Sequence, residues 1–538
     1  MFREMKKTFF SPLNITVFIF AILFSFCALL GYIENKKIFW TSMFEIRRLP
    51  LTIVIMLVSF LILVIVLTVL MKIMQRQFIT ENKWLKSFEK NTFAYSIAFI
   101  CLIWVPVIFI FSPGSLINDA TYQILQWTGT YDMTSHHPPF STLILGVCFS
   151  VGSKLGSQNL GLLFYTLLQS GCMAIAFALI VQVCVKNWNV IFGICVLLYF
   201  SIFPVWVSFA QAILKDGLYV AAVVVFMLSL LKILQKDAPG YKDWIQIIVS
   251  GVLMGLLRNN GVYILLAVLI SGVFIKRIKK RNFLMVSMAA GIALMWIYSN
   301  CLLPWLGVQP GSKAEMLSIP FQQTALYVKN HGDEVTEEEK AVIESVLDYD
   351  KLADNYTNWI SDPVKGTYKN KSGEDLKQYF KVWFRQLLKH PETYVEAFLH
   401  STASYYSISS DRAYFANYFY HDAADPLLYS YTFPGLGGIR GMIYNVTEKL
   451  QDIPIIRLLF QAGTYTWMSL ILICIAILKK KYEAIVIAAP LLISILVCMA
   501  SPVTNCVRYM VPVMASLPMC IGYVRWRCFG TGQEEPVK

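Results

Sequence analysis

Stretches of about twenty apolar residues recur along most of the chain, and nothing else in the sequence limits its fold as strongly. A run of that length crosses a hydrocarbon layer roughly 30 Å thick. Inside such a layer the backbone has no hydrogen-bond partner but itself, so each run has to be helical. Thirteen runs are candidates: 14–33, 50–74, 94–112, 139–155, 160–185, 189–203, 211–234, 244–257, 261–275, 283–303, 462–478, 483–500 and 507–525. No small-residue cleavage site follows the first, Asn14–Tyr32, which reads as a retained anchor. With 57% hydrophobic and 15% charged residues and a mean hydropathy of +0.58, the chain is excluded from the ordinary soluble classes. The expectation is an all-α polytopic membrane protein.

A net charge of +13 would point to a polyanion in a soluble protein, but here the charge is placed differently. Pro304–Arg457 holds 15 Lys and Arg against 20 Asp and Glu, so the positive excess lies outside it, in short loops between apolar runs. That is the positive-inside pattern, which orients a membrane chain and implies no nucleic acid. Arg3, Lys6 and Lys7, the stretch Lys72 to Lys90, Lys276 to Arg281, Lys479 to Lys481, and Arg525 with Arg527 are therefore expected in the cytoplasm. If the amino terminus is inside, the third run delivers 113–138 to the outside, and six further crossings would put Lys276–Arg281 outside as well. Five are needed. The weakest run is 139–155, short and carrying Ser150, Gly152, Ser153 and Lys154 at its far end. It is expected to re-enter or to lie along the outer surface, leaving about twelve transmembrane helices in a plasma membrane, both termini cytoplasmic and the large loop extracytoplasmic.

Four parts follow: 1–92, two transmembrane helices and a cytoplasmic loop; 93–303, a membrane core with the first outer loop at 113–138; 304–461, a mainly helical outer domain; and 462–538, the last transmembrane helices and a tail. All twelve cysteines lie in or beside apolar runs and none lies in Pro304–Arg457, so that domain needs a packed core rather than disulfides. Thr336-Glu-Glu-Glu339 has the form of a capping box, Ser372-x-x-Asp375 opens a second helix, and His390-Pro391 ends it and starts a third. No internal repeat, nucleotide-phosphate loop, paired CxxC or HExxH occurs.

Residues 115–140, SLINDATYQILQWTGTYDMTSHHPPF, interrupt the apolar pattern with two aspartates, two histidines and no lysine or arginine. A short helix capped by Asn118 or Ser115 would put Asp119, Tyr122, Gln123 and Gln126 on one side and Ala120, Ile124 and Trp127 on the other, and would lie flat on the outer membrane boundary. A carboxylate at that depth can take a proton from an acceptor hydroxyl or amine attacking a lipid-borne donor. The leaving phosphate needs cations, and Lys215, Arg258 and Arg508 stand near outer ends of runs. His136 and His137 could pair on a metal, but no third ligand stands at a recognisable spacing.

The order of these parts resembles the GT-C superfamily of polytopic glycosyltransferases that use polyprenyl-phosphate sugars, nearest an uncharacterised bacterial branch. The resemblance covers roughly 90–525. It rests on Asn118-Asp119 in the first outer loop, His137-Pro138-Pro139-Phe140 opening the next helix, Phe209-x5-Lys215-Asp216, and Gly255-Leu-Leu-Arg258-Asn-Asn-Gly261 between two short runs. Pro320-Phe-Gln-Gln323 and Trp383-x6-His390-Pro391-x2-Tyr394 extend it into the outer domain. It implies Asp119 as general base, Arg258 and Arg508 on the lipid phosphate, and inversion at the anomeric carbon. Asp132 is the reserve base. Gln123, His136, His137, Lys215, Asp216, Gln322 and Gln323 complete the candidate substrate-binding set. Relatives often carry two adjacent acids where this chain has Asn118-Asp119, which disfavours a metal-dependent version, so no cofactor is expected beyond the lipid-linked sugar donor. The acceptor would be a glycan, lipid or protein of the cell envelope. Two other classes compete: a transporter or flippase of lipid-linked saccharide, and a non-catalytic membrane scaffold.

Overall fold

A computed structural model describes residues 14–76, 81–276, 278, 280–369, 373–408, 412–414, 416–422, 429–501 and 503–530. Arg3, Lys6, Lys7, Arg277, Lys279, Ser372 and both chain termini, on which some of the expectations above rest, lie outside the described residues.

The apolar runs are helices. α1 (Asn14–Asn35), α2 (Leu49–Gln75) and α3 (Thr92–Ile110) precede the short α4 (Asn118–Trp127). Then come α5 (Pro139–Lys154), α6 (Gln158–Asn187), α7 (Val190–Ile202), α8 (Pro204–Gln211), α9 (Lys215–Gln235), α10 (Tyr241–Leu257), α11 (Gly261–Phe274) and α12 (Arg281–Ile297). The insert carries α13 (Ser318–His331), α14 (Glu337–Val346), α15 (Gly373–Lys389), α16 (Pro391–Thr402) and α17 (Gly437–Leu450). α18 (Pro454–Phe460), α19 (Ala462–Leu478), α20 (Ile485–Met499) and α21 (Val507–Phe529) close the chain.

Among the described residues, eight helices are long and apolar enough to cross a membrane, and ten spans result if two bent pairs each count as one: α7 with α8, bent by 49°, and α18 with α19, bent by 74°. The protein is thus a helical, multi-pass membrane protein. The difference from the expected twelve is α10 and α11, which have only 17 and 14 residues. At 1.5 Å per residue they reach about 26 and 21 Å. α9 and α21 lie at the centre, with 78% of their apolar stretch buried against 22% in α2 and α3. Around them pack α6, α10, α19 and α20.

Hydrogen bonds fix the direction of the helices. Gln169 in α6 donates to Phe209 O and Ala212 O, just before α9 begins, and Gln235 at the end of α9 donates to Asn187 Oδ1 at the end of α6 (2.9 Å). These two helices therefore run the same way. α5 begins beside the start of α9, where Lys215 meets His137, and hands over to α6, whose Asn159 donates to Ser430 O of the insert (2.7 Å). Gly152 and Gly161 let α5 and α6 touch backbone to backbone, since a Cβ on Gly152 would stand 2.0 Å from Gly161 N. Both ends of α5 consequently lie on the side that carries the insert.

Within the insert, α13 to α16 share a core of their own, built from residues such as Phe321, Ala325, Ile343, Val346 and Tyr379. The capping box forms: Glu339 N donates to Thr336 Oγ1 (3.2 Å), and Thr336 N to the Glu339 carboxylate (3.3 Å). The later part of the insert packs differently, because Tyr405, Tyr418, Phe419, Tyr429 and Tyr431 join the core of the membrane helices.

Candidate functional site

Two very short strands set the site up. β1 (Ser115–Leu116) pairs in parallel with β2 (Ala212–Ile213), Ser115 opposite Ala212 and Leu116 opposite Ile213. Each strand runs into a helix, α4 after β1 and α9 after β2, and three residues past the second rung each helix has an aspartate in its first turn: Asp119 and Asp216. A shared register thus brings two carboxylates together at neighbouring helix N-termini, where the helix dipoles favour negative charge. Side chains lock the ladder. Ser115 N donates to Gln211 Oε1 (3.1 Å), Gln211 Nε2 to Tyr418 O (2.7 Å), and Thr166 Oγ1 to Pro113 O (2.7 Å). Gly114 enters β1 at φ +124°, and a Cβ there would lie 2.6 Å from both Gln211 O and Thr166 Oγ1, so only glycine fits.

Three cations close around the two acids. Lys215 Nζ donates to Asp119 Oδ2 (2.9 Å) and to His137 Nδ1 (2.9 Å). Arg508, in the first turn of α21, bridges both carboxylates: Nη2 reaches Asp119 Oδ2 at 2.5 Å, and Nε reaches Asp216 Oδ2 at 3.0 Å. Arg258, just past α10, pairs with the other oxygen of Asp216 and lies 5.7 and 5.5 Å from the ring centres of Tyr219 and Tyr509. Three cations against two carboxylates leave one positive charge in surplus. The Asp119 side chain is 28% exposed and that of Asp216 is fully buried, so of the two only Asp119 can meet a reactant.

Burial alone would raise the Asp119 carboxyl, but the Lys215 ammonium and the Arg508 guanidinium outweigh it and hold the group well below the usual carboxylate range. For His137, burial and Lys215 act in the same sense and push the ring down to about 3. The ring is neutral at physiological pH, and its Nδ1 accepts from Lys215.

These groups form one end of a cavity of about 850 Å³. The insert contributes Glu315, Asp362 and Lys365 to its wall, and α20 contributes the apolar side chains Ile493, Leu496 and Val497. Leu496 is 57% exposed, so this wall of the cavity is an open apolar surface.

Of the residues singled out from the sequence, Asp119, His136, His137, Lys215, Arg258 and Arg508 line this cavity together. Asp216 lies beneath them, holding both arginines. Four others line no part of it. Gln123 is buried under α4, donating to Ser141 Oγ (2.8 Å) and Thr142 Oγ1 (3.1 Å) of α5. Gln126 is buried as well, so the helix face expected to be polar and open is in part the face that docks. Asp132 sits exposed in the following loop, where its carbonyl accepts from Gln126. Gln322 and Gln323 point into the core of the insert, donating to the carbonyls of Thr357, Ile360 and Tyr394. Buried amides are drawn to carbonyls that would otherwise lack a partner, which outweighs any outward-facing role. The His136–His137 pair gathers no third ligating side chain among the described residues. Sequence reasoning missed Glu315, Asp362, Lys365 and Tyr420, which reach the cavity through long-range folding of the insert; no spacing in the sequence marks them.

Residues 120–527 match the model of DUF6020, a family of unknown function. No curated protein and no solved structure matches the chain.

Proposed function

Because the chain belongs to DUF6020, whose function is unknown, its activity has to be argued from the site, and we propose a membrane glycosyltransferase of GT-C type that moves a sugar from a polyprenyl-phosphate donor to an extracytoplasmic acceptor. One observation carries this reading: at one end of a cavity with an apolar wall, Asp119, the accessible one of two adjacent carboxylates, is held among three cations. A prenyl chain would lie against Ile493, Leu496 and Val497, with its phosphate toward Arg258 and Arg508. The acceptor hydroxyl or amine attacks the anomeric carbon from the face opposite the phosphate, and the bond from that carbon to the phosphate oxygen breaks with inversion. The acceptor's proton passes to Asp119, and the charge on the departing phosphate is taken up by the arginines.

Before donor binds, Asp119 is too acidic to be a strong base, since Lys215 and Arg508 stabilise its charge. A phosphate that draws those cations to itself raises the proton affinity of Asp119, so binding the donor prepares the base. The same reading puts the cavity and the insert outside the cell. It counts α10 and α11 as membrane crossings to make twelve, and leaves the basic loops in the cytoplasm.

The test is Asp119→Asn in the purified, lipid-reconstituted protein, assayed against a panel of polyprenyl-phosphate sugars. Product formation should fall by about 10²- to 10⁴-fold, the range of a lost general base. Thermal stability should fall as Lys215 and Arg508 lose a partner, with the variant still folded at the assay temperature. Parallel loss of folding and activity would make Asp119 a structural residue. Lipid translocation that persists in the variant, with no glycosidic bond formed by either protein, would favour a flippase.

A further inference from the structure

The insert holds a second cluster of chemistry-bearing side chains, and none of them lines the cavity. Three helix ends meet there. His331 is the last residue of α13, His390 sits at the break between α15 and α16, and Glu392 is in the first turn of α16. Pro391 makes the break, because it is pre-set for the first turn of α16, and this holds His390 at a corner. The imidazoles of His331 and His390 stack with centroids 3.7 Å apart and planes within 11°. On one edge of the stack, His331 Nδ1 and His390 Nε2 face Glu334 at 3.6 and 3.1 Å. On the other edge, His390 Nδ1 is 3.0 Å from Glu392 and His331 Nε2 is 3.0 Å from Thr393 Oγ1. Lys389 Nζ, 2.7 Å from Glu334, keeps that carboxylate on its own edge.

A neutral imidazole has one N–H and one lone pair. His390 faces a carboxylate with each nitrogen, so one of the two contacts sets a lone pair against an anion unless a cation lies between them. Only two cations suit: a second proton or a metal ion. We propose that His331, His390 and Glu392 bind a divalent transition-metal ion of the zinc class, with Glu334 orienting the His390 ring. One ligand atom from each of the three lies within 4.8 Å of the other two. Around a tetrahedral zinc ion with bonds of about 2.0–2.1 Å, ligand atoms stand about 3.3 Å apart, and because the lone pairs of stacked rings run side by side, one imidazole has to rotate out of the stack to close the set. Two imidazoles with a carboxylate suit zinc rather than magnesium or calcium, which take oxygen shells. A carboxylate accepting from the far ring nitrogen fixes the tautomer and strengthens the donor; Glu334 is placed to do this for His390 at 3.1 Å and stands 3.6 Å from His331 Nδ1. All three ligands are partly exposed, leaving room for water or Thr393. The ion would tie together the ends of α13, α15 and α16. The site does not depend on the transferase reading.

The experiment uses full-length protein without a histidine tag, purified in detergent, stripped with chelator and titrated with Zn²⁺. Bound metal is measured by elemental analysis, and the unfolding midpoint is followed. Wild type should bind one ion per chain with a raised midpoint, whereas His331→Gln and His390→Gln should bind none. Glu334→Gln should keep the stoichiometry and weaken affinity about 10- to 100-fold. His136→Asn should bind as wild type does. Because the histidine variants could misfold, wild type is also loaded with Co²⁺, whose visible d–d absorption should appear as the site fills. Absence of both bound zinc and a cobalt spectrum, or zinc stoichiometry unchanged in both histidine variants, would overturn the proposal and leave His390 held by a second proton.

Discussion

A charged ring at His137 would turn its hydrogen bond with Lys215 into a repulsion, and Arg508 would add to it. The native fold therefore keeps the imidazole neutral down to about pH 3, whereas an unfolded chain would protonate it near 6.5. Because the folded value is depressed, the contribution to stability is complete above pH 6.5 and is lost progressively as pH falls toward 3, the unfolded chain taking the proton first. His137→Asn offers a carbonyl oxygen to Lys215 and has nothing to titrate. Between pH 7 and pH 4.5 the unfolding midpoint of the wild type should drop further than that of the variant, as followed by thermal scanning in detergent. Equal drops would remove His137 from the acid sensitivity of the fold.

At the scale of elements, the site depends on a ladder of two residue pairs, and Gly114 is its tightest point. Gly114→Ala adds a methyl group against Gln211 O and Thr166 Oγ1 and forces alanine into a positive φ, so it should cost about 1–3 kcal/mol. Thermal unfolding should show the loss, with the transfer activity proposed above falling alongside it as β1 slips; an unchanged midpoint would mean that the turn relaxes freely. The sequence shows this site unevenly. Lys215, Arg258 and Arg508 were legible because each is a charge at the end of an apolar run, where a charge needs a reason, and Asp119 because its polar loop interrupts the apolar pattern. The ladder that joins them was not, since a two-residue strand has no periodicity to detect. The docking face of α4 was read incorrectly, because Gln123 is as buried as Ile124 once Ser141 and Thr142 satisfy its amide. Gln322 and Gln323 misled in the same way: a glutamine pair looks alike in sequence whether it faces solvent or closes a buried turn.

For the whole molecule, the placement of α5 decides how many times the chain crosses the bilayer. Both ends of α5 lie on the side of the insert, so a membrane-impermeant thiol reagent applied to that side should label Ser153→Cys above the background of the unsubstituted chain. Labelling from the opposite side alone would make α5 a true span and reverse every later segment. The distinct character of the insert was visible in the charge count of Pro304–Arg457, whereas its split between two cores was not, because tyrosine-rich stretches suit either environment.

The hairpin of α10 and α11, with Arg258 at its tip, is shorter than the surrounding bilayer is thick. If the two helices cross the bilayer, as the proposed topology requires, lipids on that flank must compress or tilt to match them, at a cost of a fraction of a kcal/mol per Å of mismatch. Headgroups would then settle lower there than elsewhere around the protein, and under the transferase reading this shortens the descent of a bulky polar substrate from the surface to the cavity. The local shape of the membrane would in that case be set by two helices that stop early.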